Sequence, residues 1–180
     1  MNRRVLLKLA LLATVLPVAA CASGWQTVRQ ASPNPFSNHH TFVVAPVTAE
    51  RLLIQRVPEA QWVANRTPEQ QSGWQRDRAA MTGRFVDQFN RRGLSGEAFA
   101  ALVDVVPPDS FVLALDVSEF SERVMSATLT IRDAAGRVLD EVFFSVPTTG
   151  GMGAGVSMWL GNGIGRLSRE ILSYLRTRTG

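Results

Sequence analysis

The sequence predicts an α+β domain, a two-layer sandwich with two helices packed on one face of a mainly antiparallel sheet of about four strands. Three observations carry this. Residues 111–146 alternate apolar and polar in three successive runs. Residues 73–92 hold an aromatic stripe at helical spacing. Residues 157–176 hold an aliphatic stripe at the same spacing. The expected order is therefore strand, helix, three antiparallel strands, helix.

The chain begins with a basic stretch, Arg3, Arg4 and Lys8, around an apolar run from Val5 to Val18. A membrane-spanning helix needs about 20 apolar residues, so this run is too short. Small residues then lead to Cys21, the one cysteine of the chain, and small residues are what a signal peptidase requires before its cut. A plain signal peptide or a retained anchor would leave that cysteine to chance.

The stretch Leu16-Pro17-Val18-Ala19-Ala20-Cys21 resembles the lipobox of bacterial lipoproteins, an apolar residue and two small residues before the lipidated cysteine. Val18 stands where leucine is commonest. The resemblance implies a signal peptide over residues 1–20, cleavage after Ala20, and a thioether-linked diacylglycerol on Cys21, usually with an amide-linked third chain such as palmitate. Each buried methylene contributes about 0.8 kcal/mol, so three chains would hold the protein on a membrane almost permanently. By the sorting rule of enteric bacteria, Ala22 in place of aspartate after the cysteine implies the outer membrane, with the domain facing the periplasm.

Composition narrows the function classes. Three of the 19 basic residues (Arg3, Arg4, Lys8) lie in the leader, which leaves 16 against 15 acidic residues. The mature chain is near neutral, and a nucleic-acid partner is not expected. With Cys21 lipidated there is no disulfide or thiol chemistry, and stability must come from packing.

Residues 21–40 are expected to be a lipidated N-terminus and flexible tether, with a single α/β domain over 41–180. Ser, Asn, Gln and two prolines outweigh the apolar residues before His40, and a flexible stretch of this length reaches about 25 Å. His39-His40 lacks further ligands at suitable spacing, so no metal site is expected. Thr41 to Val47 reads as the first strand, apolar on both faces, with Pro46 marking its end. Ala49 to Ile54 is either a helical turn or a strand. The rest of 48–72 reads as a long solvated connection with arginines and one pinned tryptophan, Trp62.

A helix is expected over Gly73 to Arg92, with Ser72 as its cap and Gln75 completing a capping box. Trp74, Met81, Phe85 and Phe89 form its core stripe, and Gly93 is its C-cap. Gly96 to Val106 is a short helix or a strand. The three strands that follow place Phe111, Leu113, Leu115 and Val117 on one face, then Met125, Ala127, Leu129 and Ile131, then Val138, Val142, Phe144 and Val146. Asp133 to Arg137 joins the last two as a hairpin with Gly136 available for a positive φ.

Half of the 14 glycines fall between Gly150 and Gly165. A phosphate loop would need a Gly-Lys-Ser/Thr ending or the G-x-G-x-x-G spacing, and neither is present, so no cofactor site is expected. A helix from Ser157 to Arg176 closes the core with Leu160, Ile164, Leu167, Ile171 and Leu175. An interfacial membrane helix is the alternative for that stripe.

No catalytic residues are expected. Catalysis needs a base beside a nucleophile, or paired acids. The two histidines sit on the tether, and no Gly-x-Ser-x-Gly elbow occurs. Asp116, Glu119 and Glu122 read as solvated charges at a strand end. The lipobox, one such domain and the hairpin Asp133 to Leu139 before a C-terminal helix resemble small bacterial envelope lipoproteins. Some relatives by general design, the auxiliary lipoproteins of lipid-transport ABC systems, act as partners in envelope complexes. The expectation is a non-enzymatic lipoprotein that binds an envelope protein or lipid through its sheet face, residues 48–72 or the Gly-rich segment. A hydrolase with an unrecognised site and a structural spacer are the alternatives.

Overall fold

The computed structural model describes residues 24–37, 41–93, 98–101, 105–148 and 155–179. Cys21, the cleavage after Ala20, His39-His40 and Gly150 to Ala154 lie outside these residues. Among the described residues, one mixed sheet of eight strands and four helices replaces the expected four strands and two helices. Its main path runs β1(Trp25–Arg29), β8(Val138–Pro147), β7(Val124–Arg132), β6(Phe111–Phe120), β2(Thr41–Val44), β5(Ala98–Ala101). Two short strands, β3(Leu53–Ile54) and β4(Val57–Pro58), form a hairpin beside the far end of β6.

The three long strands pair antiparallel, as their alternation predicts. The sheet is mixed because β2 lies parallel to both β6 and β5. One inward row runs Val44, Leu113, Ile131 and Asp140 across four strands. A second runs Leu115, Leu129 and Val142 and ends on the exposed edge at Thr27 of β1. Residues on such rows point to the same face, which fixes one buried side of the sheet.

The expected tether is corrected by the structure. Residues 25–29 form the edge strand β1, paired antiparallel with β8, and Phe36 is fully buried in the core. An edge strand wets one side and its free backbone, so its polar sequence Trp-Gln-Thr-Val-Arg carries no clean alternation.

Residues 48–72 are also more ordered than a solvated connection. Thr48 bridges Asp116 on β6, with its hydroxyl on the Asp116 carboxylate at 2.9 Å. The β3–β4 hairpin turns through Gln55 and Arg56, at φ of 53° and 65°. Two-residue hairpin turns of the favoured hand need positive φ at both positions, usually supplied by Asn and Gly. Helix α1(Glu59–Ala64) follows, then α2(Pro68–Ala79) and α3(Met81–Arg92). The cap expected at Ser72 is instead Thr67: its hydroxyl accepts from Gln70 N–H, and Gln70 Oε1 accepts from Thr67 N–H. Pro68 suits the first helical position, where no N–H is needed. The Ser72 hydroxyl donates back to Pro68 O, inside the helix.

Trp74, Met81, Phe85 and Phe89 are all buried as their spacing predicts. The ambiguous segment after Gly93 contains β5, which Asn90 of α3 holds by accepting from Phe99 N–H and donating to Phe99 O. Helix α4(Val156–Thr179) packs over β7 and β8 and beside α3, with its apolar stripe in the core. Gly163 is what lets it approach. A Cβ there would sit 2.8 Å from the Met125 sulfur on β7. No helix among the described residues is long and apolar enough to cross a membrane.

The far end of α4 is locked by a buried carboxylate. Asp140 is fully buried on β8. Its Oδ2 accepts from the Tyr174 hydroxyl at 2.6 Å and from Arg178 Nε at 2.9 Å. Its Oδ1 accepts from Ala31 N–H at 2.8 Å. Arg178 also donates to Ala31 O at 2.9 Å, and Asn34 donates to Arg178 O at 2.6 Å. Tyr174 and Arg178 are four residues apart and share one helix face. Burial first, and then the Asp140 carboxylate, push the Tyr174 phenol well above its ordinary value, so it stays a donor. The latch joins the N-terminal arm, the sheet and the last helix.

Candidate functional site

The other end of α4 opens on a cleft of about 430 Å³. Each wall has a local cause. The strained β3–β4 turn presents Gln55. Trp62 lies on α1, and Arg66 follows it in the corner before α2. Gln71 holds that corner by donating to Val63 O and Arg66 O at 3.1 and 3.0 Å. Helix α2 contributes Gln70, Gly73, Trp74 and Asp77, and α4 contributes its first turn with Trp159.

The tryptophans form a layer. Trp62 meets Trp74 edge-on at 5.8 Å, and Trp74 stacks on Phe120 of β6 at 6.2 Å. The Arg66 guanidinium lies 4.3 Å above the Trp62 ring, a cation–π arrangement that holds the side chain without an acid.

Hydrogen bonding divides this layer in two. Trp74 Nε1 donates to Glu59 Oε1 at 2.7 Å, and Arg78 pairs with the other Glu59 oxygen. Trp62 Nε1, Trp159 Nε1 and Arg66 Nε are buried with no acceptor among the described residues. Buried donors are almost always paired, so three orphans on one cleft call for an explanation. The cleft's own carboxylate, Asp77, is already taken: Arg84 lies 2.5 Å from it, and the Ser157 hydroxyl bonds its other oxygen.

The three acids singled out, Asp116 and Glu119 on β6 and Glu122 just after it, do not gather in one site. A bulge between Val117 and Glu119 turns Asp116 and Glu119 to the same face, opposite Thr128 and Ser126, yet they take different partners. Asp116 pairs with Thr48, whereas Glu119 and Glu122 line a separate, smaller hollow with Arg56 and Arg123. Of the cleft residues, Trp62 stood out in the sequence only as a pinned side chain, and Arg66 was one of several loop arginines. The available signal was the capping box at Thr67-Pro68, which makes the segment helical and places Arg66 at a fixed corner.

No protein-family model matches the chain, and comparison with curated proteins gives no match. Among solved structures, it is similar to the PelC dodecamer from Paraburkholderia phytofirmans, at 11% identity and a TM-score of 0.46, over 82% of this chain and 97% of that one. A single-substitution variant of the same dodecamer aligns at 11% identity and a TM-score of 0.44, over 82% and 95%. A crystal structure titled only as an uncharacterized protein aligns at 13% identity and a TM-score of 0.43, over 81% and 97%. At such values the likeness assigns neither a function nor an assembly to this chain.

Proposed function

We propose that this chain is a bacterial envelope lipoprotein, anchored through Cys21 in the outer membrane and facing the periplasm, that binds a partner or small ligand without chemistry of its own. The binding half rests on one observation: an open cleft whose walls, among the described residues, carry orphaned donors and a single carboxylate that is already ion-paired. A site of this kind recognises a ligand, because specificity comes from a few placed polar groups on apolar walls. The anchoring half rests on the lipobox.

The fold changes what such an anchor would do. Strand β1 starts at Trp25, so three residues (Ala22, Ser23, Gly24) separate it from Cys21. At about 3.5 Å per residue this leash reaches roughly 14 Å. The domain would then ride close to the headgroups rather than on a long tether.

Two measurements test the reading. Growth with radioactive palmitate should label the wild-type chain and leave Cys21→Ser unlabelled; label on the serine variant refutes the anchor. A photo-crosslinking residue in place of Gln70, at the cleft edge, should yield a discrete adduct in cells. The same residue in place of exposed Arg91 on α3 should not. Equal labelling from both positions refutes the cleft as the binding face.

A further inference from the structure

We propose that the cleft between α1, α2 and the start of α4 binds the carboxylate of a small ligand, which accepts from Arg66, Trp62 and Trp159. This rests on the reading of the cleft as a ligand site and adds the chemistry of the group it takes.

The fold contains its own template. One step away in the same aromatic layer, an indole N–H and a guanidinium converge on a carboxylate, as Trp74 and Arg78 do on Glu59. Trp62 and Arg66 repeat the two donors in contact with each other, with Trp159 as a third, and the acceptor is missing among the described residues. Trp62 is 6% exposed, so its indole is a buried donor on the cleft wall rather than a surface group.

Charge favours an anion over a neutral acceptor. Arg84 offsets Asp77, which leaves Arg66, among the described residues, as the uncompensated charge on the cleft wall. The 24-residue helix α4 also begins there, and the N-terminal end of a helix is its positive end. A planar guanidinium takes a carboxylate through paired N–H bonds, and charge-assisted bonds are roughly twice as strong as neutral ones. The volume of about 430 Å³ exceeds what one carboxylate fills. At roughly 30 Å³ per water-sized group, a ring or short aliphatic body fits behind the head.

The test uses the mature lipidated protein in nanodiscs, with tryptophan emission and calorimetry as readouts. Three of the four tryptophans line the cleft, so emission reports on it directly. Cyclohexanecarboxylate should shift the emission saturably, and cyclohexanecarboxamide should bind about tenfold more weakly. Arg66→Met should bring the acid down to the amide's affinity. Trp159→Phe, which loses one N–H, should cost about threefold. Equal binding of acid and amide overturns the carboxylate while leaving the cleft as a ligand site. Tighter binding of cyclohexyl phosphate overturns it in favour of a phosphate head. Absence of all binding at roughly millimolar ligand overturns both the carboxylate and the ligand cleft. Should Arg66→Met fail to fold, the acid–amide comparison on the wild-type chain and Trp159→Phe still decide.

Discussion

Helix α4 ends in two opposite kinds of polar site. At its C-terminal end Asp140, Tyr174 and Arg178 form a closed set, in which each Asp140 oxygen has protein donors and the N-terminal arm completes the circle. At its N-terminal end Trp62, Arg66 and Trp159 hold donors with no acceptor among the described residues. Both sites join arginine to aromatic side chains, since Arg178 also lies over the Phe36 ring at 5.2 Å. The difference lies in whether the fold supplies the acid. A buried charge inside a complete network is a device for holding segments together. The same donors without their acid are a cost to the fold, which a ligand's acceptor would remove.

That contrast is broken most severely at Asp140. Removing one partner of a buried, hydrogen-bonded pair leaves the other charged and dry, at a cost of about 3–5 kcal/mol. Asp140→Ala should lower stability by that amount in chemical denaturation. It should also free residues 31–36, which a protease assay on the folded protein would detect. A loss as small as that of a surface substitution would mean that the latch is not closed in solution.

The next largest effect comes from Gly163, which sets how closely α4 rests on β7 between the two sites. Gly163→Val places methyl groups where Met125 and Thr148 already stand. Overpacking of this kind costs about 1–3 kcal/mol. Gly161 has nothing within 4 Å of a Cβ, so Gly161→Ala should stabilise by about 0.5–1 kcal/mol. Thermal unfolding of the two variants should move in opposite directions.

The two sites were also unequally legible in the sequence. The three long strands and the stripes of α3 and α4 follow from periodicity, because each buries one face continuously. Asp140 shares parity with Val142 and Phe144, so its inward position was readable as an acid on a core face. Its partners were not: Tyr174 and Arg178 meet it across 34 and 38 residues. The arginines near the end of α4 suit the helix dipole equally well, which hides a buried one among exposed ones. Strands β3 and β4 have two residues each and no period to read. Strand β5, Ala-Phe-Ala-Ala, offers one buried side chain. The sequence around Arg66 shows a polar loop, and only the meeting of three separate segments turns it into a cleft.

Arg66→Met sharpens the comparison from the open side. Arg66 has no carboxylate partner among the described residues, and methionine keeps an unbranched stem against the Trp62 ring. Stability should change by about 0.5 kcal/mol or less, beside the large loss at Asp140. A loss of several kcal/mol would show that Arg66 has an acceptor within the protein, and the two ends of α4 would then be alike.

The smallest effect belongs to a third pair of the same chemistry, Asp133 with Arg137 at the tip of the β7–β8 hairpin. The Arg137 N–H bonds Asp133 Oδ1 at 2.9 Å and the guanidinium pairs with Oδ2 at 3.0 Å. Led by that backbone bond, these contacts hold the carboxyl below its ordinary value of 3.8. A carboxyl lowered in the fold adds stability above its unfolded pKa and loses it as pH falls through the folded one. The contribution should therefore be intact at neutral pH and disappear only below about pH 3.8. Because water screens the pair, added salt should weaken it. Asp133→Asn should match the wild-type midpoint closely at neutral pH and show a shallower acid limb in a pH series. If it instead destabilises the fold as much as Asp140→Ala, burial is not what separates a latch from a solvated pair.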